Sequence, residues 1–295
     1  FCTYCMIPYV RGKGKLVSMP EDEIISHVES LAKQGYKEVV LTGIHLSSYG
    51  VDFSDALNFV SLEGKPLLAV ISKVAEIEGV ERIRLGSLEP RIITESFAKE
   101  LSAIKKVCPH FHLSLQSGCD TTLERMNRRY RSAEYAEKCG LLRKYLGNPA
   151  LTTDVIVGFP METEEDFQAS YDFVESIHFY ETHIFKYSRR HGTKAAAMSG
   201  QLTEAQKAAR SDKMLALNEQ HAKEYEKSVL GSELKVLLEE EVEINGEQWY
   251  IGHSMEYIKT AVKRQDNYGV NDIVTVKAEK FLEEHTLTGE VLGSE

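Results

Sequence analysis

Cys2 and Cys5 stand two residues apart in FCTYCMIPYVRG. At that spacing two thiolates can grip one zinc ion, one iron–sulfur cluster, or each other as a redox pair. Two thiolates alone complete neither a zinc nor an iron–sulfur site, and no second Cys-x-x-Cys or Cys/His pair in the sequence supports zinc. The other three cysteines, Cys108, Cys119 and Cys139, are irregularly spaced and read as buried thiols, not as ligands or a disulfide framework. A reducing, cytoplasmic setting is the simpler expectation.

A second set of residues could handle phosphate. ERMNRRYRS contains Arg125, Arg128, Arg129 and Arg131, and KYSRRHGTK contains Lys186, Arg189, Arg190 and Lys194. Taken alone, each cluster reads more readily as a solvated helix face or loop. The formal net charge of -10 also argues against a general polyanion binder. The acidity is concentrated, however. Residues 230–295 hold 6 basic against 14 acidic side chains, leaving 29 against 31 in the first 229. Phosphate contact would therefore need a local basic face.

These residues need a scaffold, and the periodicity supplies one. SMPEDEIISHVESLAKQG opens with a capping-box pattern, Ser18 to Glu21 with Pro20 between, and then Ile24, Ile25, Val28 and Leu31 at helical spacing. YKEVVLTG follows as a short β-branched run. The alternation repeats: helix PLLAVISKVAEIEG before strand ERIRLGS, TESFAKELSAIKK before FHLSLQ, SAEYAEKCGLLRKYLG before LTTDVIVGF, and TEEDFQASYDFVESI before ETHIFKYS. This is the pattern of βαβ units around a parallel sheet. Five strands are visible, and a sixth is expected just before residue 1, making an incomplete barrel. A long helix over about 203–225 precedes five short β-rich runs, ELKVLLEEEV, QWYIGHS, YIKTAVKR, DIVTVKAEKF and TLTGEVLG, read as a small antiparallel barrel of the oligonucleotide-binding kind. With 295 residues, 42% hydrophobic and 27% charged, the chain is long enough for one large and one small domain, set at 1–229 and 230–295. No apolar run approaches the ~20 residues of a membrane helix.

Loops at the carboxyl ends of parallel strands carry the chemistry of such folds. Here they are LTGIHLSSYG, LGSLEP, LSLQSGCD, DVIVGFPMET and FKYSRRHGT. Gly43, Gly86, Gly118 and Gly158 recur at this end, where glycine would let a ligand approach the backbone.

FCTYCMIP, TGIHLSSYG, LSLQSGCDTTLERMNRRY and TDVIVGFPMETEEDF, in that order, resemble the radical S-adenosylmethionine methylthiotransferases. The resemblance covers essentially the whole chain, whose last part looks like a TRAM RNA-binding domain. It implies a partial (βα)6 radical-SAM barrel followed by a TRAM barrel. It also implies a [4Fe-4S] cluster held by Cys-x-x-x-Cys-x-x-Cys, in which Cys2 and Cys5 match the second and third ligands and the first precedes Phe1. Three thiolates leave one iron open to S-adenosylmethionine. An electron from the cluster then releases a 5′-deoxyadenosyl radical, which abstracts hydrogen where a methylthio group is installed. A second S-adenosylmethionine supplies the methyl. The family has a further N-terminal domain with a second [4Fe-4S] cluster, so the chain is expected to be an N-terminally truncated piece, inactive as it stands. A flavodoxin- or ferredoxin-like electron donor is implied as a partner.

Matched to the family, Tyr4 lies beside the cofactor adenine, Thr42 and Gly43 at its methionine end, and Ser114 and Gln116 near the ribose. Ile156 and Gly158 line the adenine pocket. Glu89 contacts the ammonium, and Arg128 fills the motif's basic position. Arg129, Arg131, Arg189 and Arg190 become RNA-contact candidates. LTGIHLSSYG and LGSLEP look most like the branch acting at C2 of N6-threonylcarbamoyladenosine in tRNA. The alternatives are isopentenyladenosine in tRNA, with an Asn-containing loop where His45 stands, and a ribosomal-protein aspartate. Met161 stands where the family commonly has Gly, which could reshape the rim of the adenine pocket; Cys119 replaces Ser and Arg131 replaces Thr. His45 and His191 otherwise read as solvent-facing loop histidines, and Tyr9, Tyr49 and Tyr187 as core or rim aromatics. The rival of another class is a non-catalytic RNA-binding protein with a worn-out barrel.

Overall fold

The computed structural model describes residues 2–10, 16–56 and 58–294. Helices α1 (Ile7–Val10) and α2 (Glu21–Lys33) precede β1 (Glu38–Leu41), and α3 (Lys65–Glu76) leads to β2 (Arg82–Leu85). Helix α4 (Glu95–Ala103) leads to β3 (His110–His112), α5 (Asp120–Arg125) and α6 (Ser132–Leu146) to β4 (Ala150–Val157), and α7 (Glu164–Ile177) to β5 (Glu181–Lys186). Helices α8 (Lys194–Ala197) and α9 (Glu204–Ser228) complete this part.

The cause of several helix starts is local. Thr94 accepts from Phe97 N to cap α4, and Thr163/Asp166 and Thr203/Gln206 close full capping boxes on α7 and α9. The box expected at Ser18 does not form. Pro20 occupies the cap of α2 without a side-chain bond, while Ser18 binds Asp52 and accepts from Gly50 N, tying the loop after β1 back to the helix entrance.

All three strand pairings in this part are parallel, but the sheet comes in two pieces, β1–β2 and β3–β4–β5. Isolated bridges Ile83–Val107 and Leu88–Leu113 join them. The ladder of β3 stops at His112, short of the expected FHLSLQ run. Ser114 N turns to Leu88 O, and Gln116 adopts φ of +72°, which interrupts the extended chain. On the helix side, Ile83, Leu85, Phe111, Leu113, Val155 and Val157 pack with Ile71, Val74, Phe97, Leu101, Tyr135 and Phe167 in one continuous core. The opposite face of the strands stays partly open.

The C-terminal strands β6 (Glu233–Ile244), β7 (Glu247–Ser254), β8 (Lys259–Lys263), β9 (Ile273–Glu283) and β10 (Thr286–Ser294) close in the order β10-β8-β7-β6-β9. The barrel is not wholly antiparallel as expected: β10 meets β8 in parallel at Leu287–Thr260 and Thr288–Ala261. Closing five strands obliges the last to run beside one of the same direction. Val236, Val274, Val276, Ala278 and Leu287 fill the interior.

The small barrel docks on the amino ends of the parallel strands. Arg82 and Arg84, at the start of β2, donate to the carbonyls of His253, Ser254 and Met255, while Glu38 of β1 sits between the two guanidiniums. Lys37 pairs with Asp272, and Asn271 donates to Gly35 O. His110, at the start of β3, faces Tyr257 at 5.2 Å, and Ala150, at the start of β4, belongs to the small barrel's core. The carboxyl ends of β1–β5, with their loops, are left on the far side.

Candidate functional site

The Cys2–Cys5 turn is strapped to the body of the fold through Thr3, the first of the two residues between them. Thr3 N donates to Met126 O at 3.0 Å, its hydroxyl to Arg125 O at 2.9 Å, and its carbonyl accepts from Ala195 N at 2.9 Å. Both thiols are partly exposed and, like the other three cysteines, free. Each receives an N–H: Cys2 Sγ from Arg128 Nη1 at 3.3 Å, and Cys5 Sγ from Ile7 N at 3.4 Å. Such bonds to cysteinyl sulfur are the means by which a protein tunes an iron–sulfur cluster. The donor set, two thiolates in one short turn with N–H groups aimed at their sulfurs, fits two ligands of a cluster.

Arg128 ties this turn to the strand ends. Beyond Cys2 it donates from Nη2 to Ser114 O at 3.1 Å and from Nε to the Tyr130 hydroxyl at 2.9 Å. Its guanidinium also lies over the Tyr130 ring at 4.9 Å. Tyr130 donates to Ser114 O and Leu115 O, so the backbone after β3 is held at two carbonyls. Tyr4 closes the group. Burial, and then the adjacent Cys2 thiol, pushes its phenol pKa well up, with Arg128 opposing, so the ring is neutral. It meets Phe159 edge-on at 6.1 Å and packs with Ile156, Met126 and Met198.

The loops after β1 and β2 form the facing wall. Thr42 and Gly43 are exposed there, and Thr42 Oγ1 lies 2.6 Å from where a Cβ on Gly86 would stand. Ser47 Oγ accepts from Glu89 N at 2.9 Å. The Glu89 carboxylate is buried and gripped by Arg91, through Nε at 2.7 Å and backbone N at 3.0 Å. Arg91 lies over Phe59 at 5.2 Å, and Phe59 meets His45 edge-on at 5.0 Å. His45 is not idle: it bonds Ser48 Oγ at 2.6 Å, and its surroundings, then Arg128 and Arg91, lower its pKa. Cationic groups from both walls thus act on one ring.

The structure therefore brings Cys2, Tyr4, Thr42, Gly43, Glu89, Ser114, Arg128 and Ile156 to one end of the fold, and Gln116, buried, bonds to Asp154 O and Ile156 N beneath them. The loop glycines act differently from the expectation. A Cβ on Gly86 would strike Thr42, on Gly118 Phe173 Cβ at 2.5 Å, and on Gly158 Lys207 Cγ at 2.4 Å. Three of the four glycines make room for the protein's own side chains; Gly43 alone meets only ordinary contacts. Gly158 N also donates to Glu162, which Arg210 holds.

The basic clusters divide. Arg125 is engaged by Asp166 at 2.8 Å and Met161 O at 2.9 Å, and Arg131 lies 3.5 Å from Asp120. Arg189 turns its Nε to Ala196 O. Arg129, Arg190, Lys186, Lys194 and His191 are exposed. Tyr187 is core, against Phe159; Tyr49 is half-buried against Phe53; Tyr9 is exposed. Met161 takes φ of +66°, a conformation glycine adopts without cost. Cys108, Cys119 and Cys139 are buried, as expected. Sequence reasoning missed Tyr130, Ser47, Arg91 and Phe59. Only Arg91, two residues after Glu89 across a proline, carried a local signal.

The profile of the Radical SAM superfamily matches residues 1–174. The chain is 39% identical over 279 residues to the threonylcarbamoyladenosine tRNA methylthiotransferase MtaB of Bacillus subtilis, covering 94% of this chain and 59% of that protein. It is 38% identical over 239 residues to the tRNA-2-methylthio-N(6)-dimethylallyladenosine synthase of Acetivibrio thermocellus, covering 81% of this chain and 48% of that one. The chain thus spans about half the length of these curated relatives. The radical SAM enzyme coproporphyrinogen III oxidase of Escherichia coli superposes with a TM-score of 0.50 at 12% identity, over 94% of this chain and 63% of its own, which speaks to the fold alone. With a family profile spanning more than half its residues and a thiolate turn set against parallel strand ends, the chain belongs to the radical SAM superfamily.

Proposed function

We propose that this chain is the S-adenosylmethionine-binding part of a tRNA methylthiotransferase acting at C2 of N6-threonylcarbamoyladenosine next to the anticodon. One observation carries the reading: Arg128 joins the Cys2 turn to the strand end at Ser114, linking the proposed cluster ligands to the proposed cofactor wall. When bound, the cluster would supply the electron that splits S-adenosylmethionine. Cys2 and Cys5 would hold it, with a third thiolate from the parent protein. Tyr4 and Ile156 would flank the adenine, Ser114 and Gln116 the ribose, and Thr42, Gly43 and Glu89 the methionine end. The chain's own work is positioning and the exclusion of side reactions.

In this reading residues 1–229 form the radical core and 230–295 a TRAM-like RNA-binding domain. Arg129 and Arg190, exposed beside the hollow, supply local phosphate contact despite the acidic remainder. A second cluster and an electron donor belong to the parent protein.

Two measurements test this. Anaerobically reconstituted parent protein should release 5′-deoxyadenosine from S-adenosylmethionine; none would favour a non-catalytic RNA binder. Nucleosides from a deletion strain should lack methylthio-threonylcarbamoyladenosine. Loss of the methylthio-isopentenyl nucleoside instead would move the substrate to the other tRNA branch, and unchanged tRNA would point to a protein target.

A further inference from the structure

His112 on β3, Asp154 on β4 and His183 on β5 stand together on three adjacent strands. Asp154 and His183 are register partners, and His112 pairs with Thr152 two residues before Asp154. Side chains alternate along a strand. Phe111, Leu113 and Val155 are fully buried in the helix-side core, so His112 and Asp154 project from the opposite, open face. The side chain of His183 is 45% exposed on that face. Ile156, against Tyr4, is two residues further along β4 on the same side, about 7 Å by strand rise. The three residues therefore form a layer beneath the hollow and apart from Cys2 and Cys5.

One ligand atom from each residue lies within 4.8 Å of the others. His112 Nε2 is 3.3 Å from Asp154 Oδ2, and the rings of His112 and His183 stack at 5.7 Å and 21°. His112 Nδ1 is 3.0 Å from the hydroxyl of Thr152, itself 2% exposed. With Nδ1–H donated to that hydroxyl, Nε2 turns a lone pair toward a carboxylate. In that tautomer a cation between Nε2 and the carboxylate would satisfy both, whereas in the other Nε2–H donates to Asp154 and the Thr152 hydroxyl donates to Nδ1. Two imidazoles and one carboxylate on one side, with the other side open, is the ligand set that first-row divalent metals accept, and a hydroxyl fixing the far ring nitrogen is the support such a histidine receives. The flanking charges are Glu181, 3.7 Å from His183, and, beyond His110, Arg84 engaged by Glu38.

We propose that His112, Asp154 and His183 form a site for a first-row divalent transition-metal ion, with its open positions facing the concave side of the sheet. The competing arrangement is an N–H of His112 Nε2 donated directly to Asp154, with no metal between them.

Calorimetric titration with Zn²⁺, and with Co²⁺ read by absorption, decides between them. The protein used should carry Cys2→Ser and Cys5→Ser, so that thiolates cannot bind. We expect one equivalent bound with micromolar affinity, a Co²⁺ spectrum without thiolate charge transfer, and a metal-dependent rise in melting temperature. His183→Ala, at an exposed position, should keep the fold by circular dichroism and weaken binding more than tenfold, as should Asp154→Asn. His285→Ala, in the partly exposed Glu219–Glu284–His285 group, should leave the affinity unchanged. Absence of binding below about 100 µM would overturn the proposal. Binding that His183→Ala leaves intact, or that His285→Ala removes, would do the same.

Discussion

Arg128 is the residue that joins the Cys2 turn to the chain after β3, because one planar cation reaches Cys2, Tyr130 and the Ser114 carbonyl together. Lysine keeps the charge but offers a single point donor. Arg128→Lys should therefore lower 5′-deoxyadenosine formation by the parent protein more than tenfold while circular dichroism stays unchanged; an unaltered rate would remove Arg128 from the site. Met161 is a different case. Its φ of +66° is strained for any residue with a Cβ, and its backbone is fixed by bonds to Gly200 O and Arg125. Met161→Gly should stabilise the fold by about 0.5–1 kcal/mol in urea unfolding, the strain relief outweighing glycine's added freedom in the unfolded chain.

Among the elements, the clearest test lies where β1 and β2 meet the small barrel. Glu38 stands between Arg82 and Arg84, whose side chains are 3% and 6% exposed. Arg82 Nε is 2.7 Å from Glu38 Oε2 but off the line of a good hydrogen bond, so the contact is chiefly one of charge. Glu38→Gln leaves two buried cations without their counter-charge and should cost about 3–5 kcal/mol, read as a lowered denaturation midpoint. Periodicity made these strands and helices legible: the ten strands read within the given sequence all form, since each pairs a β-rich run with a turn. It could not show Ser18 leaving its cap for Asp52, or β3 ending at His112, because both depend on partners distant in sequence. The cysteine turn and most of the hollow were legible through motif resemblance. The packing purpose of Gly86, Gly118 and Gly158 was not, since a close neighbour cannot be seen in a linear pattern.

For the molecule as a whole, stability should depend on pH through His221, buried on α9 with its ring 4.3 Å from His178. Burial, then His178, lowers its pKa from 6.5 to about 4, with Glu224 opposing. Between those values the unfolded chain takes up a proton that the fold refuses. Stability should thus fall as pH drops below 6.5, with a slope approaching about 1.4 kcal/mol per unit. His221→Gln should flatten that fall between pH 7 and 5. His285 works in the other sense. Burial opposes its protonation, but Glu226 and Glu219 raise its pKa, giving stability below 6.5 that is lost at higher pH.

The seating of the small barrel at the strands' beginnings has a geometric corollary. Strand β4 alone has 8 residues, roughly 26 Å of extended chain, between that barrel and the loops around Tyr4. In the proposed reading, a polynucleotide gripped at both places would have to reach around the rim of the molecule, which would then act as a caliper on substrate size. A free nucleoside can satisfy only one jaw. Shortening a stem-loop from its far end should therefore erode affinity in one abrupt step, while the chemistry at the target base is untouched.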